Sequence, residues 1–187
     1  HLRIVTRAEN EATVLYPVSL YVFNSQDVCV ATQTITDNKS EPNFLLTEGT
    51  YDVYAVGVDE GRLNLPSKNN ATKTTVLSLN SGKLMDDLMT AHSTVTLVDG
   101  EDAQLSLGMQ RQVVQLKSVT ISKVPSEVSA VEVSLSPLYE NILLNGTPSG
   151  DNGSHTVTLT KQDATRTWKT TQESYLLPAI GYPTIKV

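Results

Sequence analysis

The sequence is poor in the residues that build catalytic, metal and redox sites. Its 187 residues include one cysteine, one tryptophan, two phenylalanines and three histidines. The histidines, His1, His92 and His155, are far apart along the chain and have no companions at metal-ligand spacing. No nucleophile-elbow motif is present either, and the alternative is a hydrolase whose Ser-His-Asp residues come together only in the fold. We therefore predict a protein that is not an enzyme and that has no metal site and no cofactor.

The single cysteine, Cys29, excludes an internal disulfide. It lies within the apolar, strand-like run Asp27–Ala31. Free cysteines in such runs behave as small hydrophobic side chains. We predict that Cys29 is buried in a core, and the alternative is a reactive or intermolecular thiol.

The sequence also has no run of basic residues and no long apolar segment. Its net charge is -6 and its pI is about 5.0, so it offers no concentrated Lys/Arg face for nucleic acid or for anionic membrane surfaces. The longest apolar runs fall short of the ~20 residues that a membrane-spanning helix needs. No signal peptide opens the chain, so we expect His1 to mark a trimmed or mature form.

What the sequence does contain is a series of short strand patterns separated by turn residues. Valine and threonine are frequent, and their branched side chains pack well on a pleated surface. Many short strands with so little helix signal favour sandwiches of antiparallel sheets. We predict an all-β protein with strands over Leu2–Thr6, Val14–Phe23, Asp27–Ile35, Phe44–Leu46, Thr50–Val58, Thr74–Leu79, Thr94–Val98, Ala103–Leu107, Val131–Leu135, Thr156–Thr160, Thr165–Thr170, Ser174–Leu177 and Thr184–Val187.

One segment interrupts the strand pattern near the middle of the chain. Residues Lys83–Thr90 have the apolar spacing of a short helix. We therefore predict two antiparallel β-sandwich domains in tandem. The N-terminal domain spans 1–85, a linker with a short helix spans 86–92, and the C-terminal domain spans 93–187 and is incomplete at its C-terminus.

A strong turn signal occurs at the start of the second half. The dipeptide Asp99-Gly100 separates the strand patterns Thr94–Val98 and Ala103–Leu107. Asp-Gly between two strands is typical of a two-residue hairpin loop. We predict that these two strands form a hairpin.

The run Arg111–Val124 changes phase partway along. The apolar residues Val114 and Leu116 are at even-numbered positions, whereas Val119 and Ile121 are at odd-numbered positions. Because side chains alternate strictly along a strand, such a switch requires a bulge or a change of sheet. We predict this irregularity at Lys117–Ser118.

The aromatic side chains divide into two groups. Tyr51 and Trp168 lie within apolar strand patterns and are predicted to pack in cores. Tyr139, Tyr175 and Tyr182 lie near turns, where they are candidates for contact with a surface ligand. The alternative function that this second group suggests is a carbohydrate-binding module of a surface lipoprotein.

Several segments resemble one known family. They are Tyr21–Phe23, Phe44–Val56, Leu84–His92 and Val113–Gly146, the last including Leu135–Tyr139. Together they are similar to the fimbrillin-like superfamily of the Bacteroidales, which includes the shaft, tip and anchor subunits of type V pili. The stretch Leu135–Tyr139 is closer to anchor and minor subunits than to the major shaft protein.

The resemblance implies a function, a location and partners. It implies transthyretin-like domains in a structural or adhesive subunit of a bacterial surface fimbria, exported as a lipoprotein to the outer membrane or the fimbria. The implied partners are other fimbrial subunits and, in an adhesive role, a host protein or glycan.

The resemblance also implies a processing site and an exchanged strand. In shaft subunits a trypsin-like protease cuts after an arginine in an N-terminal loop, and the groove left by the first strand is filled by a strand of the next subunit. Arg7 matches the cut, unless it is simply an exposed arginine in an anchor subunit that is not cut. The strand that would be exchanged consists of Leu2, Arg3, Ile4, Val5 and Thr6. Its alternation predicts that Leu2 and Ile4, and also Thr6, point into the core while Arg3 and Val5 face out.

Overall fold

The protein is built almost entirely of strands. A computed structural model describes residues 1–9, 13–162 and 166–187. In those residues the helical structure is limited to a 3-10 turn at Lys68–Asn70, and the all-β prediction is confirmed. The strands are β1 (Leu2–Ala8), β2 (Val18–Asn24), β3 (Cys29–Ile35), β4 (Asn43–Phe44), β5 (Gly49–Val58), β6 (Leu63–Asn64), β7 (Val76–Leu79), β8 (Leu88–Leu97), β9 (Ala103–Arg111), β10 (Val114–Leu116), β11 (Thr120–Ile121), β12 (Val131–Leu138), β13 (Asn141–Leu143), β14 (Pro148–Ser149), β15 (Gly153–Lys161), β16 (Trp168–Lys169), β17 (Ser174–Leu176) and β18 (Ala179–Lys186).

The chain divides into two compact units. The first consists of His1–Gln112 and Ile142–Thr147, and the second of Val113–Asn141 and Pro148–Val187. The division after Gln112 comes later along the chain than the boundary predicted near residue 90. No helix in the described ranges is long and apolar enough to cross a membrane.

The predicted linker helix is wrong, because Lys83–Asp87 form no helix and Leu88–Thr90 are the first residues of β8. This strand pairs with β5 along its whole length, from Gly49 opposite Leu97 to Val58 opposite Leu88. The residues from Leu88 to Ala91 are all buried. In a short run of consecutive apolar residues, periodicity cannot distinguish a buried strand from a helix.

The first unit contains a seven-stranded sheet in the order β3-β2-β5-β8-β9-β1-β4. Its strands pair antiparallel, except that β1 and β9 are parallel. The prediction of purely antiparallel sheets is therefore wrong at β1. Both ends of the sheet contribute to one core, whose fully buried side chains include Leu2, Ile4, Val18, Leu20, Val22, Val53, Ala55, Leu107 and Met109.

The predicted hairpin exists as a chain reversal, but its strands pair only at the far end. Gly100 has a φ of +75°, and the Glu101 N–H donates to the Val98 carbonyl at 3.2 Å. The paired positions of β8 and β9 are Met89 with Arg111 and Thr90 with Gln110. Along the rest of its length β9 pairs with β1 instead, so the turn chemistry specified the reversal and not the partner.

The second unit has a five-stranded sheet in the order β11-β16-β15-β12-β18 and a separate β10-β17 pair. Because β10 and β11 belong to different sheets, the chain changes sheet across Lys117–Ser118, as the phase switch predicts. The core of this unit is formed by Val124, Val131, Val133, Leu159 and Trp168.

Candidate functional site

The N-terminal strand β1 shows the predicted alternation at Leu2–Ile4, whereas Val5 and Thr6, predicted to face out and in, are both half-buried. Leu2 and Ile4 have no solvent exposure and belong to the core of the first unit. Arg3 is exposed and forms an ion pair with Glu41. Burying two such aliphatic side chains contributes roughly 1.5–3 kcal/mol each, so β1 is an integral part of the core.

The backbone of β1 is held very differently on its two sides. On one side it pairs in parallel with β9 over seven positions, from Leu2 opposite Ala103 to Ala8 opposite Met109. On the other side the short strand β4 pairs with positions 2 and 3, and the Ile4 N–H donates to the Pro42 carbonyl at 3.1 Å.

Beyond Ile4 the outer edge of β1 is open. Among residues 1–9, 13–162 and 166–187, no strand pairs with Val5–Ala8 on that side. The side-chain hydroxyls of Thr6 and Tyr16 lie 3.4 Å apart next to it. Unpaired N–H and C=O groups at a sheet edge form a template to which another strand can add.

Both ends of β1 are fastened to the loop and strand beside it. The His1 carbonyl accepts from the Ala103 N–H at 2.8 Å. At the other end the Glu9 N–H donates to the Met109 carbonyl at 3.1 Å. Release of β1 therefore requires these contacts to break together with the parallel ladder.

Arg7 lies inside β1 rather than in a loop after it, which corrects the strand boundary predicted at Thr6. Its side chain is exposed, and its backbone position is opposite Gly108 of β9. A protease that binds extended chain would have to detach the last residues of β1, which are paired on the β9 side only. The residues that follow Glu9, numbers 10–12, lie outside the described part of the chain.

The three tyrosines predicted as ligand contacts differ in exposure. Tyr182 is fully exposed on β18, whereas Tyr139 and Tyr175 are half-buried. The hydroxyl of Tyr175 accepts a hydrogen bond from Gln115 Nε2 at 3.2 Å. Tyr51 and Trp168 are buried, as predicted.

A charged cluster that the sequence did not reveal lies on the outside of β5 and β8. Lys73 Nζ forms ion pairs with Asp27 and, at 2.7 Å, with Asp52. Asp52 also accepts from the Thr94 hydroxyl at 2.6 Å and lies 3.4 Å from His92 Nε2. Hydrogen bonds from Lys73 and Thr94 lower the pKa of Asp52 to about 2, and the hydrogen bonds that Lys73 donates to Asp27 and Asp52 raise its own pKa.

This cluster is organised around a cation of the protein itself. The Lys73 ammonium lies between the carboxylates of Asp27 and Asp52 and offsets their charge. Among the described residues no group of three or more His, Cys, Asp and Glu side chains is arranged to hold a metal ion. The cluster therefore ties the residues around Lys73 to β5.

Cys29 is buried at 8% exposure, as predicted. Its Sγ lies 3.6 Å from the Ala31 carbonyl, and burial raises the pKa of the thiol. Burial also raises the pKa of Tyr21 to about 12, and its hydroxyl donates to the Pro66 carbonyl at 2.9 Å. Both groups are uncharged at neutral pH and belong to the packing of the first unit.

Two parts of the edge were missed by the sequence interpretation. Strand β4 is only two residues long, Asn43–Phe44, and the Leu45 that was predicted to continue it is 81% exposed. The parallel partner β9 lies about a hundred residues from β1 along the chain. One feature of the sequence could have indicated β4. The apolar Phe44 follows soon after Pro42, and proline is compatible with an edge strand.

Comparisons with known proteins identify both the fold and the family of the chain. The fold matches the crystal structure of the fimbrial anchor protein Mfa2 from Porphyromonas gingivalis, with a TM-score of 0.73 at 14% identity over 98% of this chain and 75% of that one. It also matches a candidate adhesin from Bacteroides thetaiotaomicron, with a TM-score of 0.70 at 14% identity over 98% of this chain and 74% of that one. No curated protein sequence matches. The model of the fimbrillin-A associated anchor proteins Mfa1 and Mfa2 matches residues 1–185, so the chain belongs to this family of fimbrial anchor proteins.

Proposed function

We propose that the chain is an anchor-type subunit of a surface fimbria that binds a fimbrillin subunit by strand addition at β1. The observation that carries the proposal is the family match over residues 1–185, in a fold whose N-terminal strand has an open edge beyond Ile4. The anchor proteins of this family are associated with fimbrillin-A, so a fimbrillin subunit is the partner we propose. The role is structural rather than catalytic.

The finer parts of the resemblance belong to the same proposal. They are a transthyretin-like topology, export as a lipoprotein and attachment to the outer membrane. The prediction that the N-terminal and C-terminal halves fold as separate domains is supported by the two compact units.

Strand addition at β1 has two physical routes. In the first, β1 stays in place and the incoming strand pairs with the open backbone of Val5–Ala8. In the second, a cut after Arg7 releases β1, and the incoming strand replaces it against β9. The second route exposes the pockets of Leu2 and Ile4, so a replacement strand must carry apolar side chains at the same alternation.

The two routes are separated by proteolysis of the purified chain. An arginine-specific protease is applied to the wild type, to Arg7→Ala and to the control Arg3→Ala, and the products are identified by mass spectrometry. Each product is then mixed with the fimbrillin subunit of the same organism and analysed by size-exclusion chromatography. A complex formed only after the cut at Arg7 supports replacement, and a complex with intact Arg7→Ala supports edge addition. Absence of a complex with both intact and cut protein contradicts strand addition at β1.

A second candidate function is favoured by the full exposure of Tyr182. A carbohydrate-binding module that uses tyrosine as a stacking platform would present such a side chain. In a glycan array, Tyr182→Ala is expected to lose binding that Tyr139→Phe retains. Equal binding by wild type and Tyr182→Ala contradicts this candidate.

A further inference from the structure

A polar pocket lies on the first unit where β8, β9 and β1 run side by side. Its volume is about 540 Å3, within the ~300–1,000 Å3 typical of small-molecule sites. Ser106, Gly108 and Gln110 of β9 line it, and they alternate with residues of that strand that face the core. Arg7 of β1 and the turn Asn145–Thr147 complete the wall.

Two glycines give the pocket its shape. A Cβ at Gly108 would collide with the carboxylate of Glu9, which folds over β9 at this point. A Cβ at Gly146 would come within 2.7 Å of the Thr90 hydroxyl. Glycine at both positions therefore lets Glu9 and the Asn145–Thr147 turn approach the strands closely enough to bound a cavity.

The lining offers both donors and acceptors. The Glu9 carboxylate accepts from Gln110 Nε2 at 2.8 Å, which fixes both side chains against β9. The Arg7 guanidinium has no hydrogen-bond or ion-pair partner within residues 1–9, 13–162 and 166–187. One positive and one negative side chain line the pocket, so their formal charges balance.

One wall carries a flat ring held in a fixed orientation. The His92 imidazole lines the pocket and stacks on Tyr54, with the ring centroids 4.3 Å apart and the planes 12° apart. The His92 side chain is 44% exposed, so part of this ring is available to a ligand. Phe23 packs edge-on against Tyr54 with centroids 5.7 Å apart.

This chemistry favours one class of ligand. An apolar molecule would bury the guanidinium, amide and hydroxyl groups without partners, which is unfavourable. The Glu9 carboxylate opposes an anionic ligand, and the Arg7 guanidinium opposes a cationic one. The adjacent hydroxyls of a sugar ring can form hydrogen bonds with planar amide and guanidinium groups. The C–H face of the same ring can stack on an imidazole. We propose that this pocket binds a neutral saccharide, and the proposal does not depend on strand addition at β1.

The test uses the intact chain and neutral methyl glycosides of glucose, galactose, mannose and N-acetylglucosamine. Saturation-transfer-difference NMR detects weak binding, and titration calorimetry gives the affinity of any glycoside that binds. The pocket variant is Arg7→Ala/Gln110→Ala. The matched control is Gln33→Ala, which removes an exposed glutamine of β3 outside this pocket, and Tyr182→Ala tests the alternative platform. Thermal unfolding checks that each variant is folded.

The expected result is binding of at least one neutral glycoside, weakened at least about tenfold in the pocket variant and unchanged in the control Gln33→Ala. Three results would overturn the proposal. They are no binding of any neutral glycoside, binding restricted to charged sugars such as N-acetylneuraminic acid, and binding that Tyr182→Ala abolishes while the pocket variant retains it.

Discussion

At the residue scale, the clearest energetic feature is the bridge that Lys73 forms between Asp27 and Asp52. The Asp52 carboxylate has three polar partners and is only 27% exposed, so its charge is stabilised by the fold. The sequence gave no sign of this cluster, because its members are separated by loops and become neighbours only when β5 and β8 pair.

Replacement of Asp52 by Asn is expected to lower the free energy of unfolding by about 1 kcal/mol at neutral pH. The folded pKa of about 2 lies below the ordinary value of 3.8, so the stabilisation is present above about pH 4 and is lost as the pH falls towards 2. Urea unfolding across this range checks both effects. The control Asp151→Asn, at an exposed turn, should leave stability unchanged. A wild-type stability that tracks Asp52→Asn at every pH would contradict the prediction.

The thiol of Cys29 is expected to be inert in the folded protein. It is buried, and burial raises its pKa, so little thiolate is available at neutral pH. Iodoacetamide labelling followed by mass spectrometry should show no modification of the native chain and full modification in denaturant. Rapid labelling of native protein would instead support the alternative of a reactive thiol.

At the element scale, β1 shows how far alternation carries a prediction. The inward positions of Leu2 and Ile4 and the outward position of Arg3 could be predicted because side chains on a strand alternate strictly. The parallel pairing with β9 could not, because nothing in either strand encodes its partner. The predicted end of β1, at Thr6, also came too early in the chain, because a polar residue such as Arg7 is compatible with the exposed face of a strand.

Truncation of the inward face of β1 is expected to be costly. Ile4→Ala should lower the free energy of unfolding by about 2–5 kcal/mol, because it leaves a cavity in a fully buried position. Arg3→Ala, on the same strand but facing solvent, should lower it by less than about 1 kcal/mol. Urea denaturation of the two variants makes the comparison, and similar losses for both would show that β1 is not packed into the core.

At the scale of the whole molecule, the division into two units was predicted from a signal that the structure explains differently. The interruption at Lys83–Thr90 was interpreted as a linker, but Leu88–Thr90 belong to β8 and the division between the units comes after Gln112. Because β9 is the parallel partner of β1, the first unit must extend beyond the predicted division. The return of Ile142–Thr147 to the first unit is equally non-local, since it depends on pairing between β13 and β7.

A fragment ending at the predicted boundary is therefore expected to be unfolded. Residues 1–92 lack β9 and half of β8, which leaves β1 without its ladder. Residues 1–147 retain every strand of the seven-stranded sheet and should show a cooperative thermal transition by circular dichroism. Cooperative unfolding of the shorter fragment would contradict the topology described for the first unit.

The central claim is that a fimbrillin subunit adds a strand at β1. Hydrogen–deuterium exchange on the intact chain, alone and in complex with the fimbrillin subunit of the same organism, tests this claim most directly. Because the open edge lies beyond Ile4, we predict that the backbone amides of Val5–Ala8 exchange more slowly in the complex, with little change along the β3 edge of the same sheet. A complex in which exchange at Val5–Ala8 is unchanged while another surface becomes protected would contradict the claim.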